Sequence, residues 1–259
     1  MLLDGKSVIV SGVGPGLGRE IAAAALRDGA NLTLAARSSE KLDAAAGELD
    51  STGARVATCA ADITRTADCD AIVATAVERF GRVDAVVQVA AYETVASTLE
   101  NTEPDVWHKS FETNVVGSTQ IVHAAVPQLR AAGGGAVVLI GTQSSWMPQL
   151  PQMAYAASKG ALLSAMYYMA RELGPDRIRV NMVVPTWMWG PPVQMYAQWQ
   201  AKSRGVPEEA IVAEITANMP LGEIPADEDV AEAVIFFCSD RSRMITGQSL
   251  LVNAGELMR

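Results

Sequence analysis

Short apolar runs of strand length alternate with longer amphipathic segments from one end of the chain to the other. The predicted strands are 7–10, 31–36, 55–60, 83–90, 136–140, 178–184 and 249–252. The predicted helices are 16–28, 38–49 (with Ser39 in its N-cap region), 68–80, 104–129, 153–173 and 227–239. This alternation predicts one α/β domain over residues 1–259, a doubly wound parallel sheet of about seven strands with helices on both faces.

Residues 187–219 interrupt the alternation. They follow the sixth predicted strand, at the carboxyl edge of the sheet, where doubly wound folds bind their ligands. We therefore expect this segment to form a substrate lid inserted within the single domain.

Two windows without any charged residue, 131–158 and 180–201, are each long enough to span a bilayer. Gly133–Gly135 in the first window and Pro191–Pro192 in the second would break the continuous backbone hydrogen bonding that a spanning helix needs. Charged residues among the first six positions interrupt any signal-peptide pattern. The sequence therefore predicts a cytoplasmic protein that does not enter the membrane.

The chain carries a net charge of −9 and has a sequence pI near 4.8. Nucleic acids require a basic surface, so a nucleic-acid partner is not expected. The three cysteines include no Cys-x-x-Cys pair, and neither His108 nor His123 has a second ligand at metal-binding spacing. We expect neither a disulfide framework nor a metal site.

The first strand leads directly into Ser-Gly-Val-Gly-Pro-Gly-Leu-Gly-Arg at 11–19. The glycine spacing differs from GxGxxG, but it equally allows a tight turn and a close approach to a pyrophosphate at a helix N-terminus. An ordinary glycine turn is the alternative. The strand–turn–helix context favours a dinucleotide site, with contacts at Gly12, Gly14, Gly16, Leu17 and Gly18.

Tyr155 and Lys159 are four residues apart in a predicted helix, so both side chains lie on one face. An ammonium group near a phenol stabilises the phenolate and lowers its pKa, which would let the pair move a proton to or from a substrate oxygen. Taken alone, the spacing also fits a surface lysine beside a packed tyrosine.

Two further polar positions fit such a site. Thr142 and Ser144 follow the fifth strand, where hydroxyl groups point into the ligand crevice. Asn114 lies midway along the long predicted helix and is followed by Gly117. Asparagine and glycine have low helix propensity. Asn114 therefore indicates either a local kink in the helix or a carbonyl or amide group that binds a water.

Together these features resemble the short-chain dehydrogenase/reductase (SDR) family. The motifs occur in the family's order over nearly the whole chain: Ser-Gly-x-x-x-Gly-x-Gly at 11–18, Asn-x-x-Gly at 114–117, Tyr-x-x-x-Lys at 155–159, Arg-Val-Asn running to Pro185, and the tail from Ile245 to Gly255. The resemblance implies a Rossmann-type oxidoreductase that transfers a hydride between a nicotinamide cofactor and a secondary alcohol or ketone.

The resemblance also implies a role for each candidate residue. Tyr155 would be the acid–base group, and Lys159 would lower its pKa and bind the nicotinamide ribose. Thr142 would polarise the substrate oxygen, and Asn114 would hold a water of the proton relay. Both Tyr155 and Lys159 would therefore contact the cofactor as well.

This sequence departs from the family pattern at three places. Thr142 stands where the family usually has serine, with Ser144 as the alternative hydroxyl. The family's Asn-Asn-Ala-Gly after strand four is Gln-Val-Ala-Ala at 88–91, so the cofactor wall at Ala90 is expected to differ, because Ala91 lacks glycine's backbone freedom. After strand six, Pro185 precedes threonine rather than glycine, and the family's threonine position is Gly190.

The last departure would shift contacts with the cofactor carboxamide to the backbone near Met188, beside Pro185. At the other end of the cofactor, strand two ends without the acidic residue that an NAD site presents to the ribose. Arg37 and Ser38 could instead bind a 2′-phosphate, although an exposed arginine at a helix start is the alternative. NADP is therefore favoured, and NAD remains possible.

Asp62 resembles the family residue that contacts the adenine, and Ile63 follows it. The substrate side is rich in aromatic and sulfur-containing residues. The sequence predicts an apolar substrate pocket lined by Trp146, Met147, Trp187 and Trp189, with Ser144 as its polar member. The expected substrate is an uncharged cyclic or long-chain alcohol or ketone, but the same residues could instead seal the lid against the core or a neighbouring subunit.

Two alternatives remain. A 3-oxoacyl reductase could use Lys202 and Arg204 to guide an acyl carrier protein or coenzyme A. A dinucleotide-binding sensor or assembly protein would bind cofactor without turnover. By analogy with the family we expect a homo-oligomer, a tetramer or a dimer, with exposed apolar residues on the tyrosine helix at Leu162, Ala165, Met166 and Met169.

Overall fold

The computed structural model describes residues 1–94 and 97–259. Seven strands form one parallel sheet: β1 Ser7–Ser11, β2 Asn31–Ala36, β3 Val56–Ala60, β4 Ala85–Gln88, β5 Gly135–Ile140, β6 Ile178–Pro185 and β7 Ser249–Val252. Their order across the sheet is β3-β2-β1-β4-β5-β6-β7, and every pairing is parallel. The predicted doubly wound α/β fold is therefore confirmed, with its switch point between β1 and β4.

Nine α-helices connect and cover the strands. They are α1 Leu17–Arg27, α2 Ser39–Leu49, α3 Thr66–Phe80, α4 Pro104–Phe111, α5 Ser118–Ala131, α6 Met153–Leu173, α7 Pro191–Arg204, α8 Glu208–Thr216 and α9 Asp227–Cys238, counted over the described residues. A π-helical turn, Glu112–Gly117, joins α4 to α5. Short 3₁₀ turns lie at Gln143–Ser145, Gly174–Asp176 and Asp240–Ser242.

The two faces of the sheet build two separate hydrophobic cores. Because side chains alternate along a strand, Val8 and Val10 of β1 join one core, while Ile9 between them joins the other. The first core is covered by α1, α2 and α9, and the second by α3, α5 and α6. Helix α1 packs closely on α9, and a salt bridge of 2.6 Å joins Arg27 to Glu232 across them.

Several predicted boundaries shift for local reasons. The side chain that caps α2 is Ser38 rather than Ser39, since its Oγ accepts a hydrogen bond from the backbone N–H of Lys41. Strand β4 ends at Gln88, because the N–H groups of Val89 and Ala90 both turn back to the Ser11 carbonyl. The helix predicted over 104–129 is divided by the π-helical turn.

The two windows without charge combine buried strands with partly exposed helical and loop segments. The first contains β5, a 3₁₀ turn and the start of α6, and the second contains most of β6 and α7. Over the stretches 1–94 and 97–259, no helix combines the length and apolar character needed to cross a membrane. The segment 187–219 folds into α7 and α8, with its own small core around Ala197 and Ile211.

The apolar face expected on α6 is partly wrong. Leu162 and Met166 are buried in the second core, because they lie on the face of α6 that packs against the sheet. Ala165 and Met169 are half-buried, and the exposed large side chains of this helix are Tyr167 and Tyr168.

Candidate active site

The carboxyl ends of β4, β5 and β6 open into a crevice that begins at the glycine-rich turn and encloses about 350 Å³. Predicted residues along its walls are Gly16, Leu17, Thr142, Ser144, Tyr155, Lys159, Pro185, Trp187 and Met188. The fold thus brings both ends of the predicted site, separated by more than 100 residues in sequence, onto one cavity.

The glycine-rich turn after β1 has the shape that a pyrophosphate requires. Gly12 and Gly16 have φ values of 100° and 108°, which favour glycine. A β-carbon on Gly12 would lie 2.1 Å from the backbone nitrogen of Ala90, so the turn also packs directly against the loop after β4. Helix α1 starts at Leu17 without a side-chain cap. The Arg19 N–H bonds the Gly16 carbonyl, whereas those of Leu17 and Gly18 have no partner in the described part of the chain and can bind an anion.

The remaining turn glycines have different surroundings. Gly14 faces open space, whereas a β-carbon on Gly18 would lie 2.3 Å from the Gly12 carbonyl oxygen. This close approach is what lets α1 begin against the turn. The turn and the uncapped helix therefore fit a dinucleotide pyrophosphate on geometry alone.

The residues predicted to hold the adenosine end lie after β2 and β3. The Arg37 side chain is exposed, and Ser38 caps α2. Asp62 accepts hydrogen bonds from the backbone N–H and the hydroxyl of Thr64. Both bonds lower the pKa of the Asp62 carboxyl group, and the backbone bond has the larger effect. Ile63 packs against Gly117, where a β-carbon would approach the Ile63 side chain to 2.9 Å.

Ala90 and Ala91 follow β4, where the sequence predicts a wall of the cofactor site. The non-glycine residues with positive φ in the described chain are Arg177 and Ala254. Ala91 therefore has ordinary backbone geometry, and the glycine found here in the family pattern is not needed for the backbone conformation. Ala91 lines the crevice, and Ala90 lies behind it against Gly12.

Tyr155 and Lys159 lie in the first two turns of α6 and face the crevice. The Lys159 ammonium is 5.8 Å from the centre of the Tyr155 ring and donates a hydrogen bond of 2.8 Å to the Ile140 carbonyl at the end of β5. The side chain of Lys159 is buried, with 2 % of the residue exposed. A lysine held inside the domain by a strand carbonyl is not the surface residue of the alternative interpretation.

The electrostatics of this pair differ from the expected pattern. Burial raises the pKa of Tyr155 above its usual value, the Glu93 carboxylate raises it further, and a hydrogen bond with Thr142 works in the opposite direction. Burial lowers the pKa of Lys159 to about 8, with Glu93 partly offsetting this. The pKa of Tyr155 is therefore raised rather than lowered, because desolvation is the largest influence on it.

Asn114 is fully buried in the π-helical turn and joins three segments. Its Oδ1 accepts from the backbone N–H of Tyr92 at 2.7 Å, and its Nδ2 donates to the Tyr92 carbonyl and to Ser158 Oγ. The Ser158 hydroxyl in turn donates to the Tyr155 carbonyl. Both amide hydrogens of Asn114 are therefore engaged, and the side chain fixes the loop after β4 against the start of α6.

The two hydroxyl residues after β5 have different partners. The Thr142 hydroxyl accepts from the Ser144 backbone N–H, and its side chain reaches the phenol of Tyr155. The Ser144 hydroxyl donates to Oε1 of Gln152 at 3.0 Å. Of the two, Thr142 is the one whose hydroxyl lowers the pKa of Tyr155.

The predicted apolar pocket is smaller than expected. Trp187 lines the crevice and stacks against Tyr196 of α7, with ring centres 5.3 Å apart. Trp146 lies away from the cavity lining beneath the Arg259 guanidinium, and the Met147 sulfur contacts the Gln143 amide. Trp189 packs against the small core that α7 and α8 share.

The sequence analysis missed several polar residues at the crevice. Glu93, Gln149, Gln152 and Asp227 line it, and Glu256 accepts hydrogen bonds from three wall residues, Gln143, Gln149 and Thr186. The position of Glu93 just after the carboxyl end of β4 was a usable signal, since such loops carry ligand contacts. Asp227 and Glu256 come from distant segments, and no local pattern marks them.

The family model described as "Enoyl-(Acyl carrier protein) reductase" matches residues 12–256. "Dehydrogenase/reductase SDR family member 4" of Homo sapiens is 30 % identical over 253 residues, which cover 98 % of this chain and 88 % of that protein. "L-rhamnose 1-dehydrogenase (NAD(P)(+))" of Azotobacter vinelandii is 31 % identical over 261 residues and covers 98 % of both chains.

A solved structure gives the same result. The crystal structure of L-sorbose reductase from Gluconobacter frateurii, complexed with NADPH and L-sorbose, has a TM-score of 0.92 and 26 % identity, and the match covers 100 % of both chains. The model match, the relatives and the parallel sheet agree over essentially the whole length. The chain therefore belongs to the short-chain dehydrogenase/reductase family and is an oxidoreductase that acts on CH–OH or carbonyl groups.

Proposed function

We propose that the protein transfers a hydride between NAD(P)(H) and an uncharged secondary alcohol or ketone. The observation that carries this proposal is the convergence of Thr142, Tyr155 and the buried Lys159 on one crevice that starts at the glycine-rich turn. An acid–base phenol, a cation and a hydroxyl donor are the groups that a carbonyl reduction or alcohol oxidation needs beside the reacting oxygen.

In reduction, the protonated Tyr155 donates its proton to the substrate oxygen. The raised pKa of the phenol keeps that proton in place at neutral pH. Thr142 donates a hydrogen bond to the same oxygen, and the Lys159 cation stabilises the phenolate as it forms. Oxidation follows the reverse path, and when bound, the nicotinamide ring accepts or supplies the hydride.

Asn114 has a supporting role in this proposal. Because its side-chain amide is engaged with Tyr92 and Ser158, the side chain positions α6 rather than carrying protons. A relay water would therefore be held by the main-chain carbonyl of Asn114 at the π-helical turn. Water bound there would connect Lys159 with solvent.

The cofactor would lie along the carboxyl edge of the sheet. Gly12, Gly14, Gly16, Leu17 and Gly18 would hold the pyrophosphate, Asp62, Ile63 and Ala90 the adenosine half, and Pro185, Met188, Tyr155 and Lys159 the nicotinamide half. Arg37 and Ser38 favour NADPH, since β2 ends without a carboxylate for the ribose 2′-hydroxyl. The NADPH in the L-sorbose reductase structure supports the same preference.

The substrate would pack its apolar part on Trp187 and Tyr196, beside Leu150. Lys159 is the one cation among the described residues that line the crevice. The crevice therefore offers no separate positive group for a substrate carboxylate or phosphate. The acyl-carrier alternative loses support at Arg204, whose guanidinium is paired with both oxygens of Glu214. We also propose a homo-oligomer, a dimer or tetramer, with the exposed Tyr167 and Tyr168 as its contact candidates.

The test is to titrate the protein separately with NADPH and NADH, and then to follow cofactor oxidation with cyclic, long-chain and acyl ketones. We expect binding of NADPH and turnover of uncharged ketones, and loss of turnover without loss of binding in Tyr155→Phe. Preference for acyl thioesters would favour a 3-oxoacyl reductase. Cofactor binding without turnover of any ketone would instead favour a sensor or assembly protein.

A further inference from the structure

The chain is hydrogen-bonded to other segments both before and after Glu93. The Asn114 amide bonds both the N–H and the carbonyl of the preceding residue, Tyr92. On the other side, Ser97 pairs with Gln152 at the start of α6, and its N–H donates to the Pro151 carbonyl. The Glu93 side chain lines the crevice. Its position is therefore set by the same contacts that place α6.

A chain of hydrogen bonds runs from Glu93 across the substrate side of the crevice. The Ser144 hydroxyl donates to Oε1 of Gln152 at 3.0 Å, and Nε2 of Gln152 donates to Oε1 of Glu93 at 2.9 Å. All three side chains line the cavity that contains Tyr155. They form a polar wall of the same cavity that Trp187 and Tyr196 line.

The direction of this chain is fixed by the carboxylate. An ionised carboxylate only accepts hydrogen bonds, so Gln152 must turn its NH₂ group toward Glu93 and its oxygen toward Ser144. Ser144 then uses its single proton on Gln152. Toward a ligand, Glu93 keeps its second oxygen and Ser144 its lone pairs, which are acceptors, whereas Gln152 keeps one N–H as a donor. A ligand that satisfies Glu93 and Ser144 must therefore supply donors.

The charges that line the crevice indicate which kind of hydrogen-bond donor the ligand carries. Glu93 and Asp227 both line the crevice, so an anionic ligand would meet two carboxylates. A ligand ammonium would meet the buried Lys159, on which the Glu93 charge already acts. A neutral hydroxyl group satisfies the free acceptors without adding charge.

We propose that Glu93 accepts a hydrogen bond from a second hydroxyl group of the substrate, so that the enzyme acts on uncharged hydroxy ketones and diols. The inference rests on the proposed hydride transfer at Tyr155 and narrows its substrate from an apolar to a hydroxyl-bearing compound. Glu93 thereby becomes a residue that determines specificity, with Gln152 and Ser144 as its positioning partners.

The experiment compares matched ketones that differ by one hydroxyl group. The kcat/KM values of cyclohexanone and 2-hydroxycyclohexanone, and of 2-butanone and 3-hydroxy-2-butanone, are measured with NADPH and with NADH. In the wild type we expect the hydroxylated member of each pair to be preferred by roughly tenfold or more, the usual effect of one hydrogen bond to a charged group. Glu93→Leu should remove most of this preference, and Glu93→Gln part of it.

A binding measurement separates this inference from the proposed function. Tryptophan fluorescence, to which Trp187 in the crevice wall contributes, gives the dissociation constants of trans-cyclohexane-1,2-diol and cyclohexanol with reduced cofactor present, so that no hydride transfer can occur. We expect tighter binding of the diol, and loss of that difference in Glu93→Leu. Absence of hydride transfer to all four ketones would overturn the proposed function, whereas the binding difference would still decide the role of Glu93.

The matched control is Glu100→Gln, because Glu100 is exposed like Glu93 and lies on the same connection but does not line the crevice. It should keep the wild-type preference. A purely structural role for Glu93 would lower kcat/KM equally for both members of each pair and lower the unfolding temperature. That result, or an equal preference in the wild type, overturns the inference.

Discussion

The Asp227 carboxylate occupies the space in which a side chain on residue 190 would begin. Its Oδ2 lies 2.5 Å from the ideal β-carbon position of Gly190 and 3.2 Å from that of Gly16 in the glycine-rich turn. Both Asp227 and Gly190 are buried, with 7 % of Asp227 exposed. The absence of the family's threonine at position 190 therefore has a packing reason in this protein.

We expect Gly190→Ala to lower the free energy of unfolding by about 1–3 kcal/mol, because the added methyl group meets the Asp227 carboxylate. Asp227→Ala in the same chain should recover most of this loss. Urea unfolding of the wild type, both single variants and the double variant measures the coupling between the two sites. Losses that simply add would show that the two residues do not compete for space.

Asp227→Asn should tighten NADPH binding by about tenfold, ~1.4 kcal/mol, at low ionic strength. The carboxylate stands beside the turn that would hold the negatively charged pyrophosphate, and the amide has the same shape without the charge. Fluorescence titrations at low and high salt measure the effect, which salt should reduce. Glu228→Gln, an exposed residue in the same helical turn, is the control and should change little. Weaker binding in Asp227→Asn would refute this explanation.

Ketone reduction should decline as pH rises through about 8, because the buried Lys159 loses its charge there while Tyr155 stays protonated. The measurement is kcat/KM for NADPH-dependent reduction between pH 6 and 10. Lys159→Met should lower turnover at pH 7 at least a hundredfold, the usual scale of acid–base catalysis. Lys202→Met serves as the control. A profile that stays flat to pH 9.5 would exclude a role for the Lys159 charge.

The same lysine should leave a signature in stability. Its pKa falls from 10.5 in the unfolded chain to about 8 in the folded protein. Between these values the unfolded state binds more protons, so this contribution to stability rises with pH. From pH 7.5 to 9.5, wild type should gain about 2 kcal/mol relative to Lys159→Met. Urea unfolding of both proteins at the two pH values gives the difference, in which other titrating groups cancel. An equal pH response would contradict the burial of the cation.

Arg37→Gln should weaken NADPH binding roughly tenfold or more and leave NADH binding unchanged, since only NADPH has a 2′-phosphate to pair with the guanidinium. Separate titrations with the two cofactors measure this. Arg65→Gln is a matched control, because Arg65 lies nearby after β3 and is paired with Asp68. If both cofactors lost affinity equally, Arg37 would not read the phosphate.

The fold was open to prediction from sequence because each element follows a local pattern. The ranges of β2, α6 and β7 agree with the predicted ones, since strand length, helical spacing and the Gly-Pro pair after α6 are all local signals. For the π-helical turn around Asn114, the sequence showed only a low helix propensity. Its form depends on Tyr92 and Ser158, which lie far away in sequence.

The candidate site was less predictable on its substrate side. Aromatic residues at 146 and 189 suggested pocket walls, but their direction depends on the turns that precede them, and both side chains point elsewhere. The Tyr155 pKa could not be anticipated either, because the spacing of Tyr155 and Lys159 gives no measure of desolvation. The polar wall of Glu93, Gln152 and Ser144 needed three separate segments to be placed together.

The packing of α1 on α9 has a consequence for how such a protein can be recombined. The helix that starts at the glycine-rich turn depends for its apolar partners on residues 230–235, and Arg27 depends on Glu232. A chimaera that joins the first half of this chain to the second half of a relative would inherit mismatched neighbours behind the phosphate turn. The first half of the chain should therefore not fold properly when it is joined to the second half of a relative. Chimaeras that take both α1 and α9 from the same parent should be the most stable.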